Sequence, residues 1–176
     1  MIPVTMEREI FNSLVDERLG WACMEPTFMK IRAKSPAVKN EAIAQLGRGQ
    51  RALCMFRILY GHSSKSAEEY YAWICYLLDQ PGYWSSVLEG LQFFGDDKLV
   101  NLLEESKELF EARNQRTGAD WGEAAITDLE KDAELLEAVN RLYSQYKELT
   151  THSLQIIAGY IRSNPNEFIV FSDGQA

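Results

Sequence analysis

Apolar side chains recur every three or four positions along most of this chain, and the runs end at glycine, proline or a residue suited to capping a helix. The clearest case is GLQFFGDDKL, 90–99. An apolar face carrying Tyr83, Trp84, Val87, Leu88, Leu91 and Phe94 stops at Gly95, and Asp96 stands ready to cap the helix after it. Period-two alternation, the mark of a half-buried strand, is scarce, which disfavours βαβ and sandwich folds. The pattern predicts an all-α fold: an irregular orthogonal bundle of about seven or eight helices with a short extended tail.

Helices are expected at 6–19, ended by Gly20, and at 37–60, with 20–36 a loop holding at most a short turn. Within 37–60 the GRG at 47–49 implies a kink, a close helix crossing or a break; it lacks the spacing of a phosphate-binding loop. Further helices are expected from Ser66 to about Gln80, from Pro81 to Phe94, and at 97–112, 123–149 and 151–162. The FIVF segment at 168–171 reads as a short strand or packed tail. A chain of 176 residues suits one domain, 1–176, with 163–176 a packed or disordered tail.

The longest apolar run, Tyr70–Leu78, is too short to span a bilayer, and the amino end has no export-signal pattern, so a cytoplasmic location is expected. Cys23, Cys54 and Cys75 lie far apart among apolar neighbours and read as reduced core thiols. With only His62 and His152, and neither HExxH nor paired-cysteine spacing, neither metal nor other cofactor is expected.

Charge is the strongest functional signal. Residues 1–60 carry nine Lys or Arg against six Asp or Glu, whereas 61–176 carry nine against twenty. Between Glu89 and Glu137 stand fourteen acids and five bases, a field that repels nucleic acid and attracts basic proteins. Glu104, Glu108 and Glu111 fall on one stripe of a helix, and Glu123, Glu130, Glu134 and Glu137 are available on the next. Acids at such steps are spaced about 5–6 Å apart, comparable to the charge repeat of a nucleic-acid strand. The surface could therefore occupy the cleft of a DNA-binding protein. Solubility alone also accounts for many acidic helices.

The competing site is YGHSSKSAEEYY, 60–71. Ser66 and Glu69 have capping-box spacing, which gives them a structural role and leaves His62 in the preceding loop. A small hydrolase or other small-molecule enzyme would use His62 and Glu69 beside a pocket lined by Tyr70 or Tyr71. Trp73, Tyr76, Tyr83 and Trp84 are close enough in sequence to form a core cluster or surface anchors. Lys30, Arg32, Lys34, Lys39, Arg48, Arg51 and Arg57 form a basic group that matches no nucleic-acid motif.

From about Leu53 to Phe110, the aromatic helix, the QPGYW turn, the GLQFFGDDKL joint and the LLEESKELF helix resemble a family of acidic, all-helical bacterial proteins. That family includes a DNA-mimic protein that binds a transcription factor. Where its members carry an Asn-Gly-Gly-aromatic stretch, this chain has YGHSSKSAEEYY. The resemblance implies a helical bundle that binds a basic, nucleic-acid-binding protein. The leading expectation is thus a non-enzymatic interaction protein, with a small-molecule enzyme and an immunity or toxin-neutralising protein as alternatives.

Overall fold

A computed structural model describes residues 3–172. The elements run β1 (Val4–Met6), α1 (Arg8–Ser13), α2 (Asp16–Ile31), α3 (Pro36–Ala44), α4 (Arg48–Ser63) and α5 (Ala67–Asp79). They continue with α6 (Tyr83–Phe94), α7 (Asp97–Thr117), a 3-10 turn at Trp121–Glu123, α8 (Thr127–Lys131) and α9 (Ala133–Ser163). A second 3-10 turn, Pro165–Glu167, leads to β2 (Ile169–Phe171). The architecture is an all-α bundle whose two three-residue strands pair in parallel, Val4 opposite Ile169. Ile169–Phe171 of FIVF thus forms a strand, and of its partner Val4–Met6 only Met6 lay within the helix expected at 6–19.

The joint between α6 and α7 forms as its sequence suggests. Gly95 adopts φ 75°, a left-handed conformation that costs glycine little, and Asp96 Oδ1 accepts the N–H of Leu99 at 3.3 Å. Asp96 is only 3% exposed, and its second oxygen accepts the Ser153 hydroxyl of α9 at 2.5 Å. One side chain therefore caps α7 and ties it to α9. Two further buried hydroxyl pairs join neighbouring helices: Ser63 to Tyr146 at 2.7 Å, and Tyr70 to Ser106 at 2.7 Å. Each satisfies polar atoms whose unpaired burial would cost about 1–3 kcal/mol.

Several boundaries differ from the sequence expectation. The first expected helix is broken at Leu14 and Val15, whose extended backbone is compensated by Arg162: it donates to the Leu14 carbonyl at 2.9 Å and to Asp16 at 2.6 Å. Gly20 does not end a helix but lies inside α2, buried, with Leu53 packed 3.6 Å from where a Cβ would stand. Packing there outweighs glycine's propensity cost of about 1 kcal/mol. The helix also runs through Pro26, so most of the expected 20–36 loop is helical.

The GRG stretch serves two purposes. Gly47 lies at the break that separates α3 from α4, its N–H held by Gln50 Oε1 at 3.1 Å. Gly49 lies inside α4, where an added Cβ would collide with Glu167 and come within 3.1 Å of the Phe168 ring. Farther on, the expected helix 97–112 extends to Thr117. Asp120 and Glu123 do form a capping arrangement, but around the short turn at 121–123. The next break comes at Asp132, which caps α9 by accepting the Leu135 N–H at 3.0 Å. From there one 31-residue helix replaces the two expected on either side of Thr150.

Substituting Asp96→Ala removes both the cap and the acceptor for Ser153, and is expected to lower the unfolding free energy by about 1–3 kcal/mol in urea titration. Ser66→Ala, which removes the cap of α5 and no link between helices, should cost about 1 kcal/mol.

Candidate functional site

Helices α7 and α9 run antiparallel, as three links along their length require: Asp96 with Ser153, Glu105 with Arg141, and Arg116 with Asp132 and Glu134. Leu99, Leu103, Ser106 and Phe110 of α7 turn inward, as do Leu135, Val139, Leu142 and Tyr146 of α9. The helical period then dictates that the remaining charged positions face solvent or the seam between the helices.

The acids divide into two groups. Glu105 meets Arg141 at 2.8 Å; Arg116 reaches Asp132 at 3.1 Å and Glu134 at 3.2 Å. Asp128 is more enclosed. Its Oδ2 accepts from Arg113 at 3.3 Å, from the Tyr71 hydroxyl at 3.1 Å and from the Ala125 N–H at 3.1 Å, joining α5, α7 and α8. Glu104 lies 3.9 Å from Lys107, and Glu123 turns back to accept the Asp120 N–H. The exposed ion pairs of Glu104, Glu105, Asp132 and Glu134 contribute about 0–1 kcal/mol each, so their main effect is local neutralisation.

Glu108, Glu111, Glu130 and Glu137 form the other group: all are exposed, and among the described residues none makes an ion pair. Of the seven glutamates expected to form a binding surface, these four make neither an ion pair nor a side-chain hydrogen bond among the described residues, while Glu123, also without an ion pair, is bound to the Asp120 N–H. Glu134 stays exposed but is paired with Arg116. Sequence reading missed that division because Arg116 and Arg141 lie 18 and 36 residues from their carboxylate partners. No local charge pattern records such pairs.

His62 is placed differently from the expectation. It belongs to the last turn of α4, which runs on to Ser63, rather than to a loop. Its ring stacks on Trp73 with centroids 3.8 Å apart and planes 18° apart. Burial holds the imidazole below its ordinary pKa, nearby Lys65 lowers it further, and Glu69 opposes the shift. Ser66 caps α5 by accepting the Glu69 N–H at 3.2 Å, while it is Glu68 whose carboxylate is bonded by the Ser66 side chain and held low.

His62 borders a concavity of about 420 Å³, but neither Glu69, Tyr70 nor Tyr71 lines it. Tyr70 is buried against Ser106, and Tyr71 is turned to Asp128. The expected catalytic grouping is therefore not assembled. Burial also pushes Cys23, Cys54 and Cys75 up to about 12, far from the thiolate form a nucleophile needs. Among the described residues no group of three or more His, Cys, Asp or Glu is arranged to hold a metal, and no helix is long and apolar enough to cross a membrane.

The family model described as DMP19-like protein matches residues 44–164. The chain belongs to the DMP19-like protein family. The match covers the bundle from the end of α3 to the end of α9, well beyond the 53–110 region that carried the sequence resemblance. Neither curated proteins nor solved structures gave a significant match. The match thus spans the α7–α9 pair but only the His62, Trp73, Tyr76 and Tyr83 side of the cleft; Trp21, Phe28, Arg32 and Lys39 lie before it.

In an NMR titration, His62 is expected to have its midpoint below 6.5, and Trp73→Ala should move it upward as the ring is exposed. Because the folded value is the depressed one, the unfolded chain takes up the proton first. Stability linked to His62 is therefore complete above the unfolded value and declines as pH falls through it toward the folded value.

Proposed function

We propose that this member of the DMP19-like family is a non-enzymatic protein-binding module whose docking face is the solvent side of α7, α8 and α9. The partner is a basic protein, and the sharpest form of the reading is a nucleic-acid-binding protein whose cleft takes the glutamates in place of phosphates. The observation that carries the proposal is the set of four uncompensated glutamates, Glu108, Glu111, Glu130 and Glu137, left after arginines have neutralised the seam. Family membership agrees with a DNA-mimic role.

The physical logic rests on rigidity. Glu108 and Glu111 belong to a 21-residue helix fixed at both ends, by Asp96 and by the arginine links near Arg116. Their carboxylates are presented without the entropic cost of ordering a flexible segment, which is what preorganisation contributes to affinity. Direct binding to nucleic acid is disfavoured by the same field. Charge complementarity should act mainly on the association rate, so binding should weaken as salt screens the face.

The test is capture from a lysate of the source organism, followed by release with short duplex DNA and identification of what is released. The chain is expected to retain a basic nucleic-acid-binding protein that the duplex displaces. The combined substitutions Glu108→Lys, Glu111→Lys, Glu130→Lys and Glu137→Lys should weaken that capture at least about tenfold while leaving the helical circular dichroism intact. Undiminished capture by the folded variant would remove this face from the account.

A further inference from the structure

A second surface has the opposite character. Five helices, α2 to α6, contribute to the 420 Å³ cleft beside His62, a size within the usual range of small-molecule sites. Its walls are aromatic. His62 stacks on Trp73, Trp73 stacks on Tyr76 with centroids 4.7 Å apart, and Trp21 lies parallel to Phe28 at 5.8 Å. Tyr76 keeps 43% of its surface exposed, although it stands in an aromatic stack.

The charge at this cleft is unlike that of the chain. The protein carries a net −8, yet among the described residues the cleft is lined by two cations, Arg32 and Lys39, and by no carboxylate. Neither cation makes an ion pair among the described residues. Beside Arg32, Ala33 has φ 57°, a conformation that disfavours a residue with a Cβ by about 1–2 kcal/mol. Such strained positions concentrate at ligand-binding sites. The Trp73 indole N–H also lacks an acceptor among the described residues.

We propose that the cleft bounded by His62, Trp73 and Tyr76, with Arg32 and Lys39 at its rim, binds a small organic anion with a flat aromatic body. The ring system lies against the stacked aromatics, where offset or edge contacts add to area burial. The anionic group meets the guanidinium and the ammonium, whose charge-assisted hydrogen bonds are stronger than neutral ones. A small molecule fits better than a macromolecular segment because elements enclose the cleft from several sides instead of leaving a long open groove. This site is separate from the acidic face of α7 to α9, and its test does not depend on that face.

The experiment titrates the full chain with 2-naphthoate and with the uncharged 2-naphthamide, following chemical shifts of the protein. Naphthoate is expected to saturate one site, shift resonances of His62, Trp73 and Tyr76, and bind about tenfold tighter than the amide. The double substitution Arg32→Gln and Lys39→Gln, at a solvent-facing rim, should preserve the fold and bring naphthoate down to the affinity of the amide. Equal affinity of the two probes for the unmodified chain, or an unchanged preference in the double variant, would overturn the proposal. So would binding of an acidic aromatic peptide in the absence of any binding of naphthoate, which would make the cleft a protein-docking site.

Discussion

The seam between α7 and α9 determines where this molecule shows its charge, and a buried polar link holds that seam in register. Asp96 caps α7 with one oxygen and accepts Ser153 of α9 with the other. The two helices cannot slide by a turn without separating a buried carboxylate from its donor. Register at that end fixes the far end, where Arg116 finds Asp132 and Glu134, and the middle, where Arg141 finds Glu105. The pairs contribute little to stability individually but decide which acids are cancelled and which keep their charge.

Two regions of opposite charge, each assigned a binding role in the proposals above, sit on this arrangement. The densest run of acids, Glu89 to Glu137, lies in the second half of the chain, while Arg32 and Lys39 come from the first half and border an aromatic cleft. Under the proposals above, such segregation would steer a basic partner and an anionic ligand to different parts of the molecule. Between them, the hydroxyl pairs Ser63–Tyr146 and Tyr70–Ser106 cross the core, surrounded by aliphatic and aromatic side chains.

How far the sequence disclosed this structure depends on the range of the interaction involved. The Gly95–Asp96 joint was readable because a left-handed glycine and a capping carboxylate act within four residues. The helical period likewise placed Val87, Leu91 and Phe94 on one apolar face, and they are buried. Gly20 misled because its local cost is overcome by Leu53, more than thirty residues away. Thr150 lies mid-helix because its hydroxyl is returned to the Tyr146 carbonyl, so a residue that reads as a boundary is satisfied inside the helix. The stacking of His62 on Trp73 depends on how α4 and α5 meet, and no spacing in the sequence records it.

The central claim is that the exposed glutamates of α7, α8 and α9 contact a basic partner. Carbodiimide cross-linking of the isolated complex, with mass spectrometric mapping, tests it most directly because the reagent joins carboxylates to lysines already in contact. The account predicts links from Glu108, Glu111, Glu130 or Glu137 to lysines in the nucleic-acid-binding cleft of the partner. Links confined to the acids of α1 and α2, with none from α7, α8 or α9, would contradict it.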